Sequence, residues 1–272
     1  MGLISRKGSG KTLKPPWNVH SRRMVLTMTH LFEASNVHCS IMVDGERRTI
    51  FSGLSFAIDA GEIVDLVGPS GAGKSSLLTA FARLNPRADG EYRLLGRSVD
   101  AFTPQQWRAQ VAYLPQKPVL LGGTVAQAIR LPFTLAVRQA SKTGSRKASP
   151  TDVLSDTKIR KTLDDMGCGD IDLERPPHDL SGGQAARVSL ARTLLTNPKV
   201  LLADEVDAGL DDENAEKVAS ILAAAAADGM AIVRIRHRRP DGRASRIMRL
   251  SDGTLTQIRA DAGDDDPEGT VA

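Results

Sequence analysis

Apolar and polar positions change rhythm several times along the chain, and each change predicts an element. Leu54, Phe56 and Ile58 alternate with their neighbours, the period-two pattern of a half-buried strand. A turn at Asp59-Ala-Gly61 follows, and then the short apolar run Ile63 to Val67, which fits a strand covered on both faces in a parallel sheet. Asp65 interrupts that run, and nothing in the sequence names its partner. After a glycine-rich stretch at 68–73 the period lengthens. Leu77, Leu78, Phe81 and Leu84 recur at helical spacing, and Asn85-Pro86 is expected to stop the helix. Beyond it the pattern predicts a strand-turn-strand from Gly90 to Val99, with Gly96 at the turn, and a strand over Val111 to Leu114. The stretch 124–166 is expected to be mostly helical, broken by an exposed basic loop at Ser141 to Pro150. Buried strands are expected at Val200 to Ala203 and Ile232 to Ile235, and a last hairpin at Asp252-Gly253. Apolar strands alternating with helices make an α/β fold with a parallel-sheet core.

The two ends lack this patterning. Residues 1–28 hold Gly, Lys, Ser and Pro without a period and are expected to be a flexible extension. Residues 260–272 are acidic with Gly and Pro and are expected to be a disordered tail.

Composition narrows the class. With 272 residues, 41% hydrophobic and 25% charged, the chain has the balance of an ordinary globular protein. A formal charge of +4 suits a nucleotide partner, yet a mixed, solvated surface explains it as well. Cys39 and Cys168 stand far apart and outside any C-x-x-C spacing, which excludes a disulfide framework or a zinc site and implies a reducing compartment. No apolar run approaches the roughly 18 residues of a membrane span; Ile221 to Ala227 is stopped by Asp228-Gly229. The basic N-terminus lacks a signal-peptide core. The expectation is a cytoplasmic protein that does any membrane work through another chain.

The chemistry lies in the loops. Gly68, Pro69, Ser70, Gly71, Ala72, Gly73, Lys74 and Ser75 fit the phosphate loop G-x4-G-K-[ST], between a predicted strand and a predicted helix. Glycines let the backbone curl so that its N–H groups face a phosphate, and the helix adds its positive end. Lys74 would reach the β- and γ-phosphates, and Ser75 would ligate magnesium. Gly8-Ser-Gly-Lys-Thr12 imitates the end of such a loop, but no strand precedes it and no amphipathic helix follows. Leu180-Ser181-Gly182-Gly183-Gln184 is the more discriminating signal. Ser181 is an expected N-cap, with Val188, Leu190, Ala191 and Leu194 as the apolar face behind it. A helix start with free N–H groups is a second phosphate site, and with one phosphate loop in the chain it is expected to serve a nucleotide held by another copy.

Val200 to Ala203 ends in Asp204 and Glu205. Consecutive strand residues point to opposite faces, so these carboxylates must have different tasks: Asp204 on magnesium, Glu205 as general base for the attacking water. Gln116 and His237 follow two other predicted strands, at the edge where a parallel sheet binds its ligand. Gln116 could ligate magnesium or hold the water, and His237 could contact the γ-phosphate.

Over about residues 29–259 these motifs, in this order, resemble the ATP-binding subunits of ABC transporters. The resemblance implies a P-loop NTPase of ABC type: a parallel-sheet core, an antiparallel β subdomain and a helical subdomain at about 117–183. It implies that two subunits sandwich two ATP molecules, with magnesium. Gly68 to Ser76, Gln116, Asp204, Glu205 and His237 of one chain would face Ser181, Gly182, Gly183 and Gln184 of the other, with Asp211 in the loop between sites. It further implies a homodimer seated on a transmembrane permease at the cytoplasmic face of the membrane, with no direct nucleic-acid contact. Pro115 to Val125 and Leu131-Pro-Phe133 locally resemble the iron-export and metal-stress type. The alternative is a family member acting on ribosomes or DNA, but those carry two cassettes or a long coiled coil, and this chain shows neither. Three departures stand out. Val206-Asp207-Ala208 replace the usual residues after the glutamate, Arg236 replaces the usual Thr before the histidine, and the adenine-stacking aromatic is missing, with His38 the best substitute. Lys117 to Leu121 is an apolar stretch just past Gln116, expected either to dock a permease helix or to bury into the helical subdomain.

Overall fold

The computed structural model describes residues 30–139 and 154–258, so the expected extension at 1–28, the loop at Ser141 to Pro150 and the tail at 260–272 lie outside the described residues. Two sheets organise the rest. β1 (Phe32–Val43), β2 (Glu46–Ile58), β4 (Ala88–Leu94) and the short β5 (Arg97–Ser98) form an antiparallel sheet in the order β2-β1-β4-β5. The second sheet has six strands: β3 (Ile63–Val67), β6 (Val111–Leu114), β7 (Val200–Asp204), β8 (Ala231–Ile235), β9 (Arg246–Ser251) and β10 (Thr254–Ile258). Their order is β10-β9-β3-β8-β7-β6; all neighbours are parallel except β10, which closes the 252–253 hairpin against β9.

Alternating faces explain why β3, β7 and β8 are so apolar. On β8, Ala231, Val233 and Ile235 enter one core cluster while Ile232 enters the other. The first cluster joins the two sheets through aromatic rings: Phe32 lies 5.2 Å from Phe81 and 6.1 Å from Trp107, centroid to centroid. The Trp107 indole N–H donates to Phe81 O at 2.9 Å, so the largest buried side chain carries no unpaired donor. The second cluster sits under the helices α3 (Val125–Arg130), α5 (Asp156–Asp165), α6 (Gly182–Leu195) and α7 (Asp212–Ala227). α4 (Ala136–Gln139) follows a 3-10 turn at Leu131–Thr134, and Pro132, which lacks an N–H, helps break this region into shorter pieces than its pattern implied.

Helix α1 (Lys74–Phe81) departs from expectation at its end. It stops at Phe81, before Asn85-Pro86, because Arg83 turns left-handed (φ 54°) and Thr79 O accepts both Leu84 N and Asn85 N. Leu84, expected on the apolar face, is consequently exposed. Asp65 has its partner in register on the adjacent strand: Arg234 Nε donates to Asp65 Oδ1 at 2.5 Å, both side chains nearly inaccessible. A lone polar residue inside a strand was the visible half of a cross-strand ion pair.

Candidate functional site

The site assembles at the C-terminal ends of β3, β6, β7 and β8. β3 runs into the loop 68–73, where two glycines are sterically required. At Gly68 (φ 143°) a Cβ would stand 2.1 Å from Leu250 O, and at Gly73 (φ 97°) it would meet Ile50 Cγ2 at 2.5 Å. Gly73 is also the N-cap of α1, without a side-chain cap, which leaves the first N–H groups of the helix to the loop. Lys74 is buried, and its ammonium donates to Gly68 O at 2.7 Å and Pro69 O at 3.0 Å. Burial pushes its pKa down, while the charges of Glu205 and Asp204 pull it back up.

Asp204 and Glu205 do have different surroundings, but not through strand alternation: β7 ends at Asp204, and Glu205 lies just beyond it in a turn. Asp204 is buried at the end of β7 and accepts from the Tyr113 hydroxyl of β6 at 2.8 Å. Burial first, and that hydrogen bond second, push the Tyr113 pKa up, so the hydroxyl keeps its proton. Glu205 adopts a left-handed backbone (φ 51°), uncommon for a residue with a side chain and costing about 1 kcal/mol or more. Its carboxylate is held on both oxygens: Gln116 Nε2 donates to Oε2 at 2.6 Å, and His237 Nε2 lies 2.9 Å from Oε1. The three residues expected to carry hydrolysis therefore meet one another, with Lys74 close enough to feel both acidic charges.

Magnesium fits what is present. Ser75 offers a hydroxyl at the start of α1, Asp204 a carboxylate, and Gln116 an amide whose nitrogen already faces Glu205. A few hard oxygen donors beside a phosphate site are what that ion takes.

The signature residues occupy a different place. Ser181 caps α6: its Oγ accepts from Gln184 N at 3.2 Å and Gln184 Oε1 accepts from Ser181 N at 3.1 Å, a complete capping box. Gln184 Nε2 also donates to Asp170 Oδ2 at 3.3 Å, and Gly183 backs onto Leu210. Among the described residues, no hydrogen bond or ion pair joins 181–184 to the loop 68–76. Asp211 caps α7 through Asn214, and Arg187 of α6 donates to the same Asn214, so the 205–211 loop and the signature helix share an anchor. Asp211, bonded to Asn214 N and its side chain, has its carboxyl held below the usual range. His38 stands opposite Asp89 on β4 and lines a polar crevice with Arg47 and Arg87.

Sequence reasoning missed three contributors. Tyr113 was visible only as an apolar strand residue, and the Asp207–Arg236 and Arg187–Asn214 pairs join positions far apart in the chain. Only the departures at 207 and 236 signalled one of them.

Residues 51–208 match the sequence pattern of the family described as ABC transporter. An uncharacterized ABC transporter ATP-binding protein of Methanocaldococcus jannaschii is 33% identical over 235 residues, covering 84% of this chain and 99% of that one. The macrolide export ATP-binding/permease protein MacB of Salmonella typhimurium is 33% identical over 234 residues; the match takes in 84% of this chain but 34% of MacB. Among solved structures, a bacterial Atm1-family ABC exporter with ATP bound gives a TM-score of 0.67 at 26% identity, over 85% of this chain and 39% of that one. A dimeric ATP-binding cassette in a post-hydrolysis state with ADP and Pi gives 0.66 at 23% identity, over 84% and 99%, a likeness of fold.

Proposed function

The chain belongs to the ABC transporter family and, as a cassette of that family, binds and hydrolyses ATP; from that premise we propose that it is the engine of a transporter, working as a pair of copies under a membrane permease. The observation that carries the hydrolytic reading is the convergence of Gln116 and His237 on Glu205, beside Asp204 and within the field of Lys74. ATP lays its phosphates on the loop 68–73, and phosphate oxygens replace the backbone oxygens that Lys74 now holds. Ser75, Asp204 and Gln116 would hold a magnesium ion, which would supply positive charge to offset that of the phosphates. Gln116 and Glu205 orient a water in line with the γ-phosphorus. Glu205 takes the proton as the water oxygen bonds to phosphorus and the β–γ bridging P–O bond breaks. His237, which stands beside Glu205, donates a hydrogen bond to the γ-phosphate oxygens, and Lys74 offsets their charge.

The separate position of 181–184 supports a composite site, in which the capped start of α6 from one copy covers the nucleotide held by its partner. A groove of about 500 Å³, lined by Leu84, Ala109, Tyr113, Leu135, Arg138 and Thr196, supports the permease reading. Val119 and Leu121 nearby are 61% and 60% exposed. Leu120 between them packs on the second core cluster, so the segment is divided between the two expected fates. Among the described residues no helix is long and apolar enough to cross a membrane, and we place the protein at the cytoplasmic face through its partner. Metal efflux, suggested by residues 115–133, is the cargo we carry forward on sequence grounds. Replacement Glu205→Gln tests the core of this reading. It should keep ATP binding and slow phosphate release at least about 10²-fold; turnover at the wild-type rate would overturn the assignment.

A further inference from the structure

The hydrolytic site sits against a buried chain of charges that the roles above do not use. Asp65 on β3 meets Arg234 on β8, and Arg234 grips Asp241 with both terminal nitrogens, at 2.9 and 2.7 Å. Asp241 lies 2.8 Å from Arg236 Nη1, outside hydrogen-bonding geometry, and Arg236 Nε donates to Asp207 Oδ2 at 2.9 Å. All five side chains are 11% exposed or less. Arg243, its side chain 25% exposed, approaches Asp241 at 3.8 Å and donates its backbone N–H to it. Three carboxylates thus share two buried guanidiniums, with Arg243 at the rim divided between Asp241 and Glu216, to which it donates through both terminal nitrogens.

We propose that Asp207 and Arg236 are positioning residues for hydrolysis: their ion pair clamps the loop after Glu205 to the strand end that carries His237. This rests on the roles given to Glu205 and His237 above. Asp207 follows Glu205 by two residues, and Arg236 immediately precedes His237. The Glu205–His237 contact at 2.9 Å and the Asp207–Arg236 contact at 2.9 Å therefore close one small ring through Val206. Glu205 also keeps a left-handed backbone that does not persist without support. Ala208 N donates to Glu205 O at 3.0 Å, and the Asp207 anchor holds the far side of the same turn. Arg236 is oriented from behind by Asp241, itself fixed by Arg234, which is fixed by the strand that feeds the phosphate loop. The clamp is tied to the part of the site that binds nucleotide, while acting on the part that hydrolyses it.

The test compares Asp207→Ala, Asp207→Asn and His237→Ala, alone and combined, by steady-state phosphate release and by binding of a fluorescent ATP analogue. Asp207→Ala should lower kcat tenfold or more while KM and nucleotide affinity stay within threefold. Asp207→Asn, which can still accept from Arg236 Nε, should recover most of the loss. In the His237→Ala background, Asp207→Ala should cost less than a further twofold, because the clamp acts through the same contact. Should Asp207→Ala fold poorly, Arg236→Lys supports the same comparison, keeping the charge and losing the Nε contact. Wild-type turnover in His237→Ala would overturn the reading of the site itself. A crippled His237→Ala beside an Asp207→Ala enzyme that keeps its kcat, or multiplies the His237 loss in full, would overturn the clamp alone.

Discussion

Replacing Arg234 by Met should be among the most damaging single changes in this protein, and replacing its partner Asp65 by Asn among the mildest buried ones. Arg234 is 3% exposed and holds two carboxylates through four hydrogen bonds. Methionine fills part of its volume but leaves Asp65 without a hydrogen-bonded cation and Asp241 dependent on Arg236 and Arg243. An uncompensated buried charge costs roughly 3–5 kcal/mol. In a protein of this size each kcal/mol moves the melting temperature by about 2–4 °C, so the midpoint should fall by roughly 6–20 °C. Asp65→Asn keeps an acceptor for Arg234, whose charge Asp241 still meets, and should stay within about 1 kcal/mol of wild type. The pH dependence has a definite sign. Burial raises the Asp65 pKa more than Arg234 lowers it, so its ionised form costs stability that returns as pH falls through the raised pKa. Any advantage of Asp65→Asn at neutral pH should shrink on acidification. Asp241 runs the other way. Burial pushes its carboxyl up, but hydrogen bonds from Arg234 and the Arg243 backbone outweigh it and hold the pKa below the usual carboxylate range. Its stabilisation is present above that range and is lost as pH falls. Thermal melts of wild type and both variants from about pH 2 to 8 cover both windows. An Arg234→Met protein within 1 kcal/mol of wild type, or an Asp65→Asn protein equally damaged, would refute the reasoning.

Two further outcomes follow from the surface and the base site. Val119→Asp combined with Leu121→Asp should leave ATP hydrolysis and melting unchanged, since both side chains are exposed, yet abolish co-purification with a co-expressed permease; retained binding would put the docking site elsewhere. GTP should compete with ATP within about tenfold, or 1.4 kcal/mol, because the phosphate loop and Lys74 are in place while the sequence lacks the family's adenine-stacking aromatic; a hundredfold preference for ATP in competition binding would show that another side chain supplies the stack.

Much of the fold was legible because burial leaves periodic marks. Val111–Leu114 was read to the residue, and the strands at 200 and 231 to within one. The phosphate loop, the signature and the Asp204-Glu205 pair were legible because their chemistry is local, each needing adjacent residues at fixed spacing. What escaped was non-local. Nothing near Asp65 in sequence announces Arg234, which lies 169 positions away. The end of α1 was misjudged because an arginine in a left-handed conformation, with no glycine to signal it, ended the helix before the proline did. Leu120 and Leu121 look alike in a sequence, yet one packs on the core and the other is exposed. The odd residues at 207 and 236 were visible singly as departures, and only the fold shows that they are two halves of one contact.

The central claim is that each hydrolytic site is built from two copies, and a mixing experiment tests it. Lys74→Ala and Ser181→Arg proteins should each be nearly inactive, the first without its phosphate contact and the second with its helix start blocked. Mixed in equal amounts and allowed to exchange, half of the dimers carry one of each. In those, the intact phosphate loop of one copy should face the intact signature of the other. A two-fold dimer with independent sites should then recover about a quarter of wild-type phosphate release. Recovery near that level would support the composite site; a mixture that exchanges subunits and stays inactive would contradict it.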